Sequence, residues 1–349
     1  MSWENCVVIL TFLLTCNIII YRLKERDYMT LEAFEFYINE LNKNYDSVFT
    51  HILDQREEKI IINDPEKKCR FCDRTEPEVS FRKTAHAIPE LLGNKKIFTN
   101  NECDSCNEKF SLLLEDSLGK YLGIWRTLMQ IRGKTGIVSY KDPDGISRMD
   151  HTDNGIVIQN HENKNFMETN FEEKILKING YRQPYVPIAV FKCLVKIALS
   201  VIPYDLLPYF EDTKKWLLED SHKDTKYDIQ PIFTLLSILP GVWPFGDFSI
   251  SVSRRKDDSL KVPFMQMAIY FRNMGFQIIV PCKTKNFHLS HQPIDIYPIP
   301  HPSWLVSEYL DDIFFEKVDL SGKEIVKNEF VSTTMGFTRA VRITENDSQ

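Results

Sequence analysis

Two CxxC pairs constrain this chain more than any other feature. Cys69 and Cys72 form one pair, Cys103 and Cys106 the other, with thirty residues between them. Two residues between cysteines let both thiolates face one ion from a tight knuckle. Two knuckles complete a tetrahedron of sulfur, the closed form that structural zinc takes. An iron–sulfur cluster uses the same ligands at different spacing. The other four cysteines supply no disulfide framework. Cys6 and Cys16 lie in an apolar N-terminal run, and Cys193 and Cys282 stand alone in apolar surroundings, as small buried hydrophobes do. The pattern favours a reducing compartment and a metal over disulfides.

A chain of 349 residues is long enough for two domains, and 43% hydrophobic with 26% charged residues is ordinary for a folded globular protein. The net charge of −6 excludes a uniformly basic nucleic-acid binder, so any basic surface is local. From Arg70 to Lys141 there are twelve Lys/Arg against nine Asp/Glu, a net of +3. Arg82, Lys83, Lys95, Lys96 and Lys109 flank the middle of that stretch, and Lys120, Arg126, Arg132 and Lys134 follow. Such residues position a phosphate backbone without reading its sequence.

Residues 6–21 are apolar and are followed by RLKER. A spanning helix needs about 20 residues, and a positive flank keeps its side in the cytoplasm. The run therefore reads either as a short anchor tethering a cytoplasmic protein to the inner face of the membrane, or as a segment ahead of a start at Met29. Residues 29–59 read as helical, with Thr30 as N-cap, Leu31, Phe34, Ile38 and Leu41 at helical spacing, and a second short helix over Val48–Leu53. Residues 60–135 hold the cysteine module, whose helix reads as capped by Asp104 or Ser105, runs over CNEKFSLLLEDSLGKYLG from Cys106, and turns Phe110, Leu113, Leu114 and Leu118 inward. Residues 136–349 form a second α+β region. Short strands there are separated by KDPDG and HTDNG, a hairpin closes at Asn179-Gly180, residues 187–202 make a buried helix, and an antiparallel meander runs through 246–282. His288, His291 and His301 near Asp295 read as loop histidines before a second metal site, and Trp216, Trp243 and Trp304 as packing aromatics.

Inside the cysteine module, His86 sits in TAHAIPE, Gly93-Asn94 makes a turn, and Asn107 follows the last cysteine in the first turn of a helix. A histidine on a strand opposite a polar residue at a helix start, with zinc beneath, is the layout of a ββα metal site. Cys69, Cys72, His86, Ile88, Pro89, Gly93, Asn100 or Asn101, Cys103, Cys106 and Asn107 occur in the order of an HNH endonuclease of the zinc-ribbon type, and the segment resembles that family. The likeness covers about fifty residues. More distantly, FKCLVKIALS resembles the region after the nuclease in bacterial HNH proteins.

The resemblance implies a ββα-metal (His-Me finger) fold and a metal-dependent endonuclease. His86 would be the general base that activates water. Asn107 would ligate a divalent ion, Mg2+ or Mn2+. Asn101, slightly ahead of Asn100, would orient the base. The partner would be nucleic acid, double-stranded DNA foremost. Residues 136–349 would meet a trigger or protein partner, as in restriction or anti-phage effectors. One position departs from the pattern: Ala85 stands where the family commonly carries a ligating acid, leaving Glu90, Glu102, Glu115 or Asp116 to replace it. The alternative is a non-catalytic zinc module that binds nucleic acid or protein.

Overall fold

The structure, a computed structural model, describes residues 6–11, 27–53, 58–134, 136–152, 155–160, 165–239, 248–286, 296–301, 313–337 and 339–344. It is a mixed α/β protein built around one helix. Every residue of Pro187–Val201, PIAVFKCLVKIALSV, is buried. A helix apolar all round belongs in an interior rather than on a surface. Pro187 opens it, where a missing N–H costs nothing, and Pro203 follows its end.

The largest sheet has seven strands in the order Asp27–Tyr28, Phe314–Asp319, Phe233–Ile238, Met274–Ile279, Met265–Phe271, Phe248–Arg255, Tyr45–Leu53. Three of these form the expected meander. Met265–Phe271 and Met274–Ile279 are buried along their whole length, as central strands covered on both faces are. Smaller sheets are built from Cys6–Thr11, Tyr140–Lys141, Arg148–Thr152, Gly155–Asn160 and Arg339–Thr344, and from Met167–Asn170, Ile175–Tyr181 and Phe330–Gly336.

Three expectations are corrected. Residues 6–21 do not supply a membrane anchor in their described part: Cys6–Thr11 is a β-strand, antiparallel to both Gly155–Asn160 and Arg339–Thr344. Among the described residues no helix is long and apolar enough to cross a membrane; residues 12–26 lie outside them. Val48–Leu53 is not a helix but part of the edge strand Tyr45–Leu53, paired with Phe248–Arg255 around a bulge. The hairpin does not close at Asn179-Gly180, because the strand Ile175–Tyr181 runs through both. The expected N-cap is present, with the Ala33 N–H donating to Thr30 Oγ1 at 3.1 Å. His288, His291 and Asp295, Trp243 and Trp304 lie outside the described residues. His301 is buried and packs edge-on to Tyr270, and Trp216 is buried against Phe191.

One continuous hydrophobic core runs from the cysteine knuckles through the central helix to the large sheet. Arg70, between the first two cysteines, fastens the knuckles to that helix. Its backbone N–H donates to Asn101 O, its Nε donates to Asp64 at 2.8 Å, and its Nη groups donate to the carbonyls of Leu199, Ser200 and Ile202. Those carbonyls end the Pro187–Val201 helix, where a cation is favoured by the unpaired C=O groups and the dipole.

Candidate functional site

The four sulfurs lie within 4.8 Å of one another. In the first knuckle Asp73 N–H donates to Cys69 O and Cys69 N–H to Arg74 O, both at 3.0 Å, and Asp73 takes φ +58° to close the turn. In the second, extended Cys103 (φ −71°, ψ 157°) is the N-cap of the helix Asp104–Phe110, and Cys106 stands one turn in. Cys72 and Cys103 Sγ are 3.8 Å apart. A disulfide would need about 2.05 Å. Sulfurs about 2.3 Å from a tetrahedral zinc stand about 3.8 Å from each other. The donor set therefore fits structural zinc. The thiols already share charge: Cys103 is held far toward thiolate by Cys106 and then Cys69, while Cys69 is pushed up to about 12 by its bond to Cys103. Arg74 Nε lies 3.4 Å from Cys72 Sγ and adds a positive neighbour.

His86 lies in the short strand Ala85–His86, antiparallel to Ile97–Thr99, which in turn runs parallel to Ile60–Ile62. Alternation turns Ala85 into the core, and leaves His86 half-buried with its ring 4.6 Å from that of Phe98. Among the described residues the imidazole makes no hydrogen bond. Its backbone is fixed instead: Lys196 Nζ, from the central helix, donates to His86 O at 3.2 Å. Burial, chiefly, and then Lys196, Lys134 and Lys59 hold the imidazole below its ordinary 6.5, against an opposing pull from Glu90.

The loop from Ala87 to Lys96 is locked by Asn94, a fully buried residue that sequence reasoning placed only in a turn. Its Nδ2 donates to Ile88 O (2.7 Å) and Ile97 O (2.9 Å), while its Oδ1 accepts from the N–H groups of Lys96 (3.1 Å) and Ile97 (2.9 Å). Gly93 beside it takes φ +92°, the left-handed conformation glycine adopts without penalty. The signal that could have found Asn94 is its place directly after that glycine.

Asn101 is buried and fully engaged elsewhere. Its Oδ1 accepts from Asp64 N–H at 2.8 Å, and its Nδ2 donates to Glu66 O at 2.7 Å and Lys68 O at 3.3 Å, tying down the approach to the first knuckle. Asn100 donates to Asn63 on the surface. Neither side chain bonds to His86. Asn107, half-buried, has no side-chain hydrogen bond among the described residues.

The carboxylates considered for the place of Ala85 divide clearly. Glu102 is buried and sits 3.0 Å from Lys196, itself buried, in an ion pair whose directions fall short of a hydrogen bond. Asp116 pairs with Lys120 at 2.6 Å. Glu90 and Glu115 make no hydrogen bond or ion pair among the described residues. Glu115 closes a π-turn, Ser111–Glu115, in which Asp116 N–H donates to Ser111 O, five residues back. A π-turn holds nearly one residue more than the 3.6 of an α-turn. Eight residues from Asn107 to Glu115 thus make about two turns, and both side chains fall on one side of the helix. Asp104, first residue of that helix, accepts from Ser80 Oγ at 2.7 Å and from the Arg82 and Lys83 N–H groups at 3.1 Å, closing the loop before His86.

Residues 69–122 match the family model described as HNH endonuclease. The match runs from the first cysteine to the end of the helix Asp116–Leu122 and contains all four cysteines, His86, Asn94, Asn101 and Asn107. No curated protein and no solved structure matches the chain.

Proposed function

We propose that residues 60–135 are a ββα-metal nuclease module that hydrolyses phosphodiester bonds in nucleic acid, double-stranded DNA foremost. The observation that carries this reading is the imidazole of His86: half-buried, free of hydrogen bonds among the described residues, and anchored through its backbone inside the segment that matches the nuclease family. A base must keep a nitrogen free for the proton it accepts. Phe98 sets the plane of the ring, and Lys196 and the Asn94 lock set its strand. Neutral His86 would take a proton from water, leaving hydroxide to attack phosphorus in line and expel the 3′ oxygen.

Asn107 and Glu115 offer hard oxygen donors that make no hydrogen bond or ion pair among the described residues, and so fit a divalent cation such as Mg2+ or Mn2+. Bound there, the cation would offset charge on the scissile phosphate and the leaving oxygen. Asn94 takes the positioning role that sequence reasoning gave to Asn101. By analogy of plan, a restriction or anti-phage effector is the natural setting, with residues 136–349 meeting a trigger or partner.

The test is plasmid cleavage with Mg2+ or Mn2+ beside a His86→Ala control, whose rate should fall at least about a hundredfold. Equal nicking by both proteins would leave the non-catalytic zinc module as the function. The pH profile carries a second expectation. Because burial lowers the imidazole pKa below 6.5, the neutral form already dominates at pH 6.5. The rate should therefore hold there and decline only at more acid pH, as His86 takes up its proton. An inflection above pH 6.5 in single-turnover rates would contradict the burial of the base.

A further inference from the structure

Arg126 carries a charge without a counter-charge. It lies in the short helix Ile124–Leu128, just after Gly123 ends Asp116–Leu122. Its guanidinium makes no hydrogen bond or ion pair with any described residue, and its Nε is shut off from water with no partner. Burial alone depresses its pKa. Comparable arginines are occupied: buried Arg70 by Asp64 and helix carbonyls, and Arg182, half-buried like Arg126, by Glu329 and Tyr121 O. A half-buried charge with its Nε shut off and no partner among the described residues costs the fold stability, and a ligand would offset that cost.

The guanidinium passes between two glycines. A β-carbon at Gly119 would lie 3.6 Å from Nη1, and one at Gly133 3.5 Å from Nη2. The side chain lines a groove of about 660 Å3 together with Ser111, Glu115, Asp116, Lys120 and Gln183. Asp116 is neutralised by Lys120. Among the described residues Glu115 has no ion pair, and it responds to burial and Lys196 rather than to Arg126. One groove thus holds a carboxylate and a guanidinium that do not neutralise each other.

We propose that Arg126 anchors a backbone phosphate of the bound nucleic acid in the groove it shares with Glu115, its guanidinium fork taking the phosphate oxygens where no carboxylate of the described residues pairs with it. A lone carboxylate ligand would meet repulsion from Glu115. A phosphate that arrives with a divalent cation does not. The identity of the ligand rests on the nuclease reading; the unpaired guanidinium does not.

The test uses full-length zinc-loaded protein with His86→Ala, so that duplex is bound and not cut, and compares it with the same protein carrying Arg126→Met. Affinity for a labelled DNA duplex in Mg2+ should fall about tenfold to a hundredfold. The slope of log affinity against log salt should become shallower by about one. The melting temperature without DNA should stay level or rise, because a half-buried unpaired charge is gone; inorganic phosphate with Mg2+ should raise the melting temperature of the parent and not of the variant. If Arg126→Met is too unstable to measure, Arg126→Gln carries the same comparison. Unchanged affinity and unchanged salt slope overturn the anchor. A nuclease sensitive to His86→Ala whose duplex affinity ignores Arg126 overturns the anchor and spares the nuclease. A protein that cuts nothing yet binds duplex through Arg126 does the reverse.

Discussion

Stripping the metal from Cys69, Cys72, Cys103 and Cys106 is expected to unfold far more than a loop. Structural zinc in small modules is worth on the order of 10 kcal/mol, comparable with the whole stability of a typical domain at about 5–15 kcal/mol. Here the effect should spread, because Cys69, Cys103 and Cys106 belong to the same core as the Pro187–Val201 helix and the large sheet. Phe71 and Phe110, 4.7 Å apart, fill the space beside the knuckles. Arg70 would lose its station, leaving the carbonyls of Leu199, Ser200 and Ile202 without their donors. The measurement is far-ultraviolet circular dichroism during titration with a strong chelator, then with added zinc, alongside a Cys69→Ser variant. Expected are a cooperative loss of signal, its recovery with zinc, and one zinc per chain by elemental analysis. A chelated protein that melts at the temperature of the untreated one would show that the four thiols hold nothing.

The second large effect lies at Lys196. Breaking a buried ion pair from one side costs about 3–5 kcal/mol, because the remaining charge has no partner. Lys196→Met should cost that much in chemical denaturation. It leaves Glu102 alone in the core and removes the donor to His86 O as well. The double variant Lys196→Met, Glu102→Leu should regain most of the stability and none of the strand positioning. Its nuclease rate would stay low while its fold recovered. The sign with pH can also be stated. Burial already holds the Glu102 carboxyl above 4.5 against the pull of Lys196. Without that lysine its native pKa rises further, so the variant's native state keeps a proton the parent's has released, and the deficit relative to the parent grows as pH climbs past the parent's own raised Glu102 pKa. A single variant within about 1 kcal/mol of the parent at neutral pH would contradict this account.

The sequence made the cysteine site legible because its ligands come in two local pairs. Two residues of spacing say how each pair must turn. His86 and Asn107 were singled out for the same reason, each lying within a short ordered motif inside the segment that matches the family model. What supports them was not. Lys196 and Glu102 are 94 positions apart, and no spacing rule joins a lysine in an apolar helix to a glutamate before a cysteine. That lysine, in FKCLVKIALS, signalled something only by its polarity amid apolar neighbours. Asn101 looked like a member of the site because it stands near Cys103; its amide is taken up by the 64–68 loop, a contact made by tertiary packing. Val48, Phe49, Ile52 and Leu53 fit a helical stripe and a bulged strand almost equally, and pairing with Phe248–Arg255 decided for the strand. The π-turn at Ser111–Glu115 leaves no mark in residue type, yet it sets which way Glu115 points.

The clasp of Arg70 on the end of the central helix has a consequence for how such a protein can be rearranged. A zinc-stapled nuclease unit is commonly thought of as a cassette, moved from gene to gene with its ligands. Here two of the module's attachments, the arginine inside its first CxxC and the lysine against the Ala85–His86 strand, reach to or come from a helix more than eighty positions downstream. A recombination joint placed between the two would separate Arg70 from its socket and the His86 strand from its prop. The unit of inheritance for this site is therefore the span from the knuckles through Val201, and shuffling of shorter pieces would yield cysteines that still bind metal around a histidine that no longer has a fixed address.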